Sequence, residues 1–166
     1  MNLFLFKTIL TKKVETSQDN LLTKKVFLVQ TDTTVGFLSQ NAMQLAQIKK
    51  RSNEKPFVQV CASFKTLKKL ARVPNRYKNR IRRGKKETFV YTNNKAIRVV
   101  KDREHARFVK PFEWFYSTSA NENSLSYEKE FAQVKSDIIM ETSKGLFEGE
   151  SSSIYRLSKT KITRLR

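Results

Sequence analysis

The residues Val26–Gly36 read VFLVQTDTTVG and indicate the class of fold. Four consecutive apolar residues at the start are typical of a buried strand, and the polar residues after them predict a turn at the strand's carboxyl end. Ligands of open α/β sheets bind outside that edge of the sheet. The stretch therefore predicts an α/β fold with Thr31, Asp32 and Thr33 placed at a ligand site.

Strand and helix patterns alternate outward from this stretch, with Asn41 and Ser63 as predicted N-caps. Several strands are separated by only a few residues, which favours a mixed sheet over a parallel one. No repeat, linker or change of composition divides the chain, so we expect one domain over residues 1–166. The predicted strands are Leu3–Leu10, Val26–Gln30, Phe57–Cys61, Thr88–Thr92, Ala96–Val100, Trp114–Thr118, Asp137–Met140 and Ser153–Leu157, and the predicted helices are Asn41–Arg51, Thr66–Arg72, Pro74–Arg83 and Glu128–Lys135.

The composition excludes several classes of protein. One Cys and one His among 166 residues allow neither an intramolecular disulfide nor a Cys/His zinc cluster, and they leave few partners for a catalytic triad. Cys61 is expected to be a buried core thiol and His105 a surface histidine. No apolar stretch approaches the roughly 18 residues of a membrane span, so we expect a soluble, cytoplasmic protein without membrane contact.

Positive charge dominates the chain and is concentrated in one run. There are 34 Lys and Arg against 15 Asp and Glu, a net charge of +19. The run Lys65–Lys86 contains eleven basic residues and no acidic one. A solvated face is one interpretation, but repulsion of this size favours a polyanionic partner, and RNA fits best. Since Phe64 and Tyr77 are the only aromatic residues in or next to the run, contact with phosphates is expected rather than base stacking. The predicted RNA-binding residues are Lys65, Lys68, Lys69, Arg72, Arg76, Lys78, Arg80, Arg82, Arg83, Lys85 and Lys86.

Three further segments carry groups suited to phosphate. Lys49 and Arg51, with Lys55 nearby, can present a point charge and a planar fork to phosphate oxygens, although cations at a helix end also complement the helix dipole. The segments STSAN (Ser117–Asn121) and SSS (Ser151–Ser153) offer hydroxyls and backbone N–H groups to an anion. Neither a P-loop nor a Rossmann glycine motif is present.

In this order, the segments resemble the YrdC-like threonylcarbamoyl-AMP synthase family. The family pattern includes P-T-[ED]-T-x-[YF]-G, K-x-R with [NK]-P, P-G-P-x-T, A-[VI]-R-V, S-T-S-A-N and P-S-T-I. The resemblance implies a single domain with a twisted mixed open sheet, helices packed on it and a positively charged concave groove. The matching segments, between about residues 26 and 157, are Gln30–Gly36, Lys49–Arg51, Lys55–Phe57, Gly84–Thr88, Ala96–Val99, Ser117–Asn123 and Ser151–Ile154.

The resemblance also implies a reaction and its site. L-Threonine, bicarbonate and ATP, with Mg²⁺, would give threonylcarbamoyl-AMP and pyrophosphate, and the adenylate would feed modification of an adenosine in tRNA together with further tRNA-modification proteins. Asp32 is expected to form an Asx-type turn, with Mg²⁺ binding as the alternative. The resemblance assigns catalysis to Lys49 and Arg51, threonine binding to Thr31, Thr33, Thr118, Ser152 and Ser153, and nucleotide binding to Lys49, Arg51, Lys55, Thr88, Arg98, Ser117, Ser119, Asn121 and Arg166.

Three hypotheses remain open at this point. The first is an active synthase, and the second is a non-catalytic relative that binds double-stranded or otherwise structured RNA, such as tRNA, through the same basic groove. The third is an unrelated basic α/β scaffold. Pyrophosphate release that requires threonine and bicarbonate would single out the first. RNA affinity without nucleotide binding would single out the RNA-binding relative. A fold without the groove would leave the unrelated scaffold.

Overall fold

The structure is a computed structural model that describes residues 21–50, 56–122, 125–142 and 144–166. The predicted strand Leu3–Leu10 lies outside the described residues, as do Arg51 and Lys55. The described strands are β1 Phe27–Gln30, β2 Val35–Ser39, β3 Val58–Cys61, β4 Glu87–Val90, β5 Ala96–Val99, β6 Trp114–Ser119, β7 Ile138–Met140, β8 Ser153–Leu157 and β9 Ile162–Arg164.

These nine strands form one sheet in the order β7-β1-β2-β6-β3-β5-β4-β8-β9. The pairs β1/β7, β3/β5 and β4/β8 are parallel, and the other neighbours are antiparallel. The prediction of a mixed sheet in an α/β domain is therefore confirmed.

The flanking helices begin close to the predicted positions. The Asn41 and Ser63 side chains each accept a hydrogen bond from the backbone N–H three residues on, which confirms both caps. No helix of the described residues is long and apolar enough to span a membrane. The helices are α1 Ala42–Ile48, α2 Phe64–Leu70, α3 Lys78–Arg83, α4 Arg103–Val109 and α5 Lys129–Val134, with 3-10 turns at Asn75–Tyr77 and Lys110–Phe112.

Two elements near the later site were not predicted: β2 and α4. Gly36 in β2 weakens the local strand pattern, yet a Cβ there would lie 2.9 Å from the Thr118 carbonyl oxygen, so this close approach of strands requires glycine. Helix α4 starts at Asp102, whose Oδ1 accepts a 2.9 Å hydrogen bond from the His105 N–H. Phe108 and Val109 of α4 are buried against the sheet, which stabilises a helix that the charged sequence KDRE conceals.

The helices divide unevenly between the two faces of the sheet. Helices α2 and α3 pack on Cys61, Phe89 and Ile97, and α1 and α5 pack on Leu28 and Phe37. Strand alternation and the strand pairing put these residues on one face, which we call the multi-helix face. The prediction that Cys61 is a core thiol is confirmed, and burial raises its pKa to about 11.

The opposite face carries only α4 among the five helices, packed over its β1, β2, β6 and β3 side. In β5, Arg98 alternates with Ile97 and so points to this opposite face, as Ser117 does in β6. Helix α4 leaves about half of this opposite face uncovered, and that half is open to a cavity. We call the uncovered half the cavity face.

Candidate functional site

A cavity of about 400 Å³ lies on the cavity face, where several strand ends and loops meet. Val58, Arg98 and Ile154 contribute from three different strands, and the turn between β1 and β2 forms another wall. A volume of this size suits a small-molecule ligand. Ten of the residues predicted for the site line it: Thr31, Thr33, Lys49, Arg98, Ser117, Thr118, Ser119, Asn121, Ser152 and Arg166.

Two predicted residues do not line the cavity. Thr88 is fully buried, and its Oγ1 lies 2.9 Å from Ser152 Oγ, so it holds Ser152 from behind rather than facing a ligand. Ser153 alternates with Ile154 in β8, so its side chain belongs to the multi-helix face, as that of Tyr155 does. Thr88 and Ser153 therefore do not line this cavity, and their contact with a ligand stays a prediction.

The β1–β2 turn is organised by a threonine. Thr31 Oγ1 accepts hydrogen bonds from the N–H groups of Thr33 and Thr34, at 3.2 and 3.3 Å, and donates to the Thr34 carbonyl at 2.6 Å. The predicted Asx-type turn at Asp32 is thus replaced by a threonine-based one. Sequence analysis missed Gly149, where a Cβ would clash with the Thr33 carbonyl oxygen and whose N–H donates to Thr34 Oγ1.

Lys49 is the buried cation at the centre of the STSAN loop. It is 5% exposed, and its Nζ donates to Asn121 Oδ1 at 2.7 Å, to the Asn121 carbonyl and to the Ser119 carbonyl at 3.2 Å. Ser119 Oγ also donates to Asn121 Oδ1, at 2.6 Å. The ammonium therefore sits among oxygens at the cavity wall, where an anionic ligand would be attracted to it.

Behind the cavity lies a buried charged cluster of Asp32, Arg98 and His105. Asp32 Oδ1 is 3.3 Å from an Arg98 guanidinium nitrogen and 3.3 Å from His105 Nδ1. Arg98 also donates to Thr33 Oγ1 at 3.2 Å, which links the cluster to the cavity wall. Burial alone would raise the pKa of Asp32, but the His105 hydrogen bond and the Arg98 charge outweigh it and hold that pKa below its usual value.

His105 is 1% exposed, so the prediction of a surface histidine is wrong; the apolar side of α4 carries it into the core. Its Nδ1 is also 3.2 Å from the Asp32 N–H, and a single ring nitrogen cannot both accept there and donate to the carboxylate. We assign the proton to Nδ1, because an unprotonated Nδ1 would turn its lone pair toward the carboxylate. Burial lowers the pKa of His105, and Asp32 only partly offsets this effect.

The pKa of His105 predicts a specific loss of stability in mild acid. Because the pKa in the folded state lies below its ordinary value of 6.5, the unfolded chain binds more protons as the pH falls through that value. The free energy of unfolding should be constant above the unfolded-state pKa and fall below it, by up to about 1.4 kcal/mol per pH unit. Urea unfolding between pH 7.5 and 5 measures this slope.

The matched variant for this prediction is His105→Gln, which removes the only histidine of the chain. The free energy of unfolding of this variant should be lower at every pH but constant over the same range. No other side chain has an ordinary pKa in that range, and the only other group close to it is the terminal amine. Parallel slopes in the two proteins would contradict the prediction.

The donor set of the cavity does not fit a resident Mg²⁺. Its described lining contains hydroxyls, amides and the cations Lys49, Arg98 and Arg166, but no carboxylate. Asp32, the candidate from the sequence, is engaged by Arg98 and His105. Mg²⁺ in proteins is usually held through one or two carboxylates together with substrate phosphates. We therefore derive no step through a protein-held metal.

The basic run Lys65–Lys86 does not belong to this cavity. Its helices α2 and α3 pack on the multi-helix face, and none of the eleven basic residues is among the described lining. These eleven residues therefore lie outside this cavity, and their contact with RNA stays a prediction. Their position has a geometric reason: the apolar sides of α2 and α3 match the Cys61 and Ile97 side of the sheet, so their charged sides face outward from it.

The sequence model of the Sua5/YciO/YrdC family, described as "Telomere recombination", matches residues 19–166. The mixed sheet with a cavity at its strand ends thus belongs to a recognised class of α/β domain. The chain is a member of the Sua5/YciO/YrdC family. A comparison with curated proteins finds no match.

Solved structures share the fold at low identity. Sua5 of P. abyssi complexed with L-threonine is 16% identical, with a TM-score of 0.69 over 93% of this chain and 55% of that one. YciO of E. coli is 16% identical, with a TM-score of 0.66 over 93% of this chain and 91% of that one. HypF of T. kodakarensis is 14% identical, with a TM-score of 0.69 over 93% of this chain and 24% of that one. The chain therefore spans about half the length of P. abyssi Sua5.

Proposed function

We propose that the chain is a threonylcarbamoyl-AMP synthase that acts in the threonylcarbamoyladenosine modification of tRNA. The substrates would be ATP, supplied with Mg²⁺, L-threonine and bicarbonate. The observation that carries the proposal is the convergence on one cavity of ten residues that the family resemblance assigns to substrate binding, although they are spread from Thr31 to Arg166. Membership of the family and the threonine bound in P. abyssi Sua5 support the same substrate class.

The arrangement of charges supports phosphate binding on one side of the cavity. Lys49 is buried next to Ser119 and Asn121, so a triphosphate would meet an ammonium together with small hydroxyl and amide groups. Arg166 also lines the cavity and is held by two hydrogen bonds to the Ser152 carbonyl, at 3.1 and 3.3 Å. Preorganised cations of this kind act mainly by stabilising charge that develops on phosphate oxygens.

The hydroxyl groups of the β1–β2 turn support threonine binding on the other side. Thr31 and Thr33 lie with their Oγ1 atoms 3.0 Å apart, and Arg98 fixes Thr33 by a hydrogen bond. The threonine amine would combine with bicarbonate to a carbamate and release water. A carbamate oxygen would then attack the α-phosphorus of ATP, breaking the bond to the β-phosphate oxygen and releasing pyrophosphate. These residues would position the reactants, and the step needs no histidine or cysteine.

The test is calorimetric titration of ATP together with an assay of pyrophosphate release. We expect micromolar ATP binding that tightens with threonine and bicarbonate, and release that requires both. Valine is the matched control substrate, since it keeps the shape of threonine without the hydroxyl, and a site that hydrogen-bonds that hydroxyl should reject it strongly. Pyrophosphate release that is equal with valine, or absent under all conditions, would contradict the proposal.

A further inference from the structure

A second cavity, of about 380 Å³, opens on the multi-helix face between α1 and the β4–β5 turn. The rings of Phe57 and Tyr116 line it, with centroids 6.2 Å apart and planes tilted by 54°. Met43, which is 66% exposed, stands at its edge. Two aromatic side chains and a thioether provide apolar walls for a flat ring.

A polar group inside this cavity lacks a partner. Gln59 lines the cavity and is 5% exposed, and its Oε1 has no hydrogen-bond partner among the described residues. Leaving a buried carbonyl oxygen unpaired is costly, and such groups in native proteins usually have a specific reason. A ligand with an N–H donor on the edge of a flat ring would satisfy it.

A basic hollow of about 500 Å³ adjoins the aromatic cavity. Lys68, Arg72 and Lys78 line it, and Lys68 and Arg72 are exposed, with no acidic partner among the described residues. Lys69 also lines it but forms an ion pair with Glu113 at 2.5 Å. Several cations around one concave surface are suited to phosphate groups.

Asn93 joins the two spaces, because it lines both. Its side chain is held by two contacts: Nδ2 donates to the Leu70 carbonyl at 3.1 Å, and Oδ1 accepts from the Lys95 N–H at 3.2 Å. The aromatic cavity and the basic hollow are therefore adjacent at Asn93, and together they make one candidate surface. The sequence predicted no base-stacking surface, because Phe64 and Tyr77 are the only aromatic residues in or next to the basic run.

We infer that this surface binds an unpaired nucleotide of a single-stranded nucleic acid. The base would lie against the aromatic wall formed by Phe57 and Tyr116, with its donor edge toward Gln59 Oε1. The flanking phosphates would lie against Lys68, Arg72 and Lys78. A duplex would offer phosphates but no free base for the cavity. Pro56 and Phe57 line this cavity and the synthase cavity alike, whereas Gln59, Lys68 and Arg72 line only the surface proposed here and can be tested separately.

The experiment measures fluorescence anisotropy of labelled 12-nucleotide single strands, as RNA and as DNA, and of a duplex of the same length. We expect the full chain to bind at least one of the single strands more tightly than the duplex. Comparing the affinities for RNA and DNA then shows which of the two nucleic acids the surface prefers. Gln59→Leu, which is similar in size, should weaken single-strand binding about tenfold, as expected for the removal of one hydrogen bond, without changing its salt dependence.

The second variant tests the phosphate-binding cations and carries no risk to folding, since both side chains are exposed. Lys68→Gln with Arg72→Gln should weaken binding and lower the slope of log affinity against log salt by about 0.7 for each phosphate that is no longer neutralised. The matched control is Arg107→Gln with Lys110→Gln, which removes the same charges from exposed positions on and next to α4. This control should change neither affinity nor slope by a comparable amount.

Three outcomes would overturn the inference. In the first outcome, the duplex binds as tightly as the single strands and Gln59→Leu leaves binding unchanged. The surface would then recognise the phosphate backbone of a duplex. Another is an equal reduction of affinity in the α4 control, which would mean that net charge alone drives binding. The last is tight binding to phosphatidylserine vesicles with none to oligonucleotides. Because ATP and threonine binding are measured separately, failure here leaves the proposed synthase untouched.

Discussion

Replacing Lys49 by methionine is expected to lower threonine-dependent pyrophosphate release by about 10²–10³-fold, the effect of removing one preorganised charge donor from an active site. Methionine keeps the length of the side chain but removes the ammonium that meets Ser119 and Asn121. The triphosphate would no longer have its buried cation, so calorimetry should show weakened ATP binding in parallel with the reduced rate.

Lys50→Met is the matched control for this prediction. Lys50 is the adjacent residue, is exposed and pairs with Glu122 on the surface at 2.7 Å. The same chemical change there should leave the rate within about twofold, because exposed ion pairs contribute little. Equal rates in Lys49→Met and the unmodified chain would remove Lys49 from the proposed machinery, and with it the main support for a phosphate site here.

Asp32→Asn is expected to lower the free energy of unfolding by about 3–5 kcal/mol, the usual cost of breaking a buried ion pair on one side. Arg98 and Asp32 are both 5–6% exposed at the side chain, and the variant leaves the guanidinium in the core without its counter-charge. Urea unfolding at pH 7.5 measures the change, since His105 is neutral there in both states.

Two companions make the Asp32 result interpretable. Asp102→Asn is the same substitution at an exposed N-cap, where asparagine caps equally well, and it should change stability by no more than about 0.5 kcal/mol. Adding Arg98→Met to Asp32→Asn should recover part of the stability, because it removes the orphaned charge. A double variant less stable than Asp32→Asn alone would contradict this explanation.

Local signals in the sequence were enough for many of the elements. Asn41 and Ser63 cap helices through hydrogen bonds within three residues, and the apolar run of β1 needs only its own composition to indicate a strand. The predicted strand Ser153–Leu157 agrees with β8 residue by residue. The elements that were not predicted include β2, α4 and β9. Gly36 hides the strand pattern of β2 and a charged first turn hides α4, and packing against Thr118 and the sheet stabilises these two elements.

Much of the candidate site was also accessible from the sequence, because its residues occur in ordered motifs whose chemistry suits phosphate. The relative positions of these residues in space could not be predicted from the sequence. Whether Ser152 or Ser153 faces the cavity depends on the register of β8 against β4, and a shift of one residue would exchange them. Gly149 matters only because the Thr33 carbonyl lies against it, a contact that no local pattern reveals.

Composition and motif order were sufficient to indicate a family resemblance and the α/β class, and they showed the excess of positive charge and the groups available to bind phosphate. The side of the sheet that each group occupies is instead a property of the folded chain. His105 lies buried next to Asp32, and the basic run lies outside the cavity that Lys49 lines. Both placements follow from the packing of the apolar sides of helices onto alternate residues of strands, which no segment specifies alone.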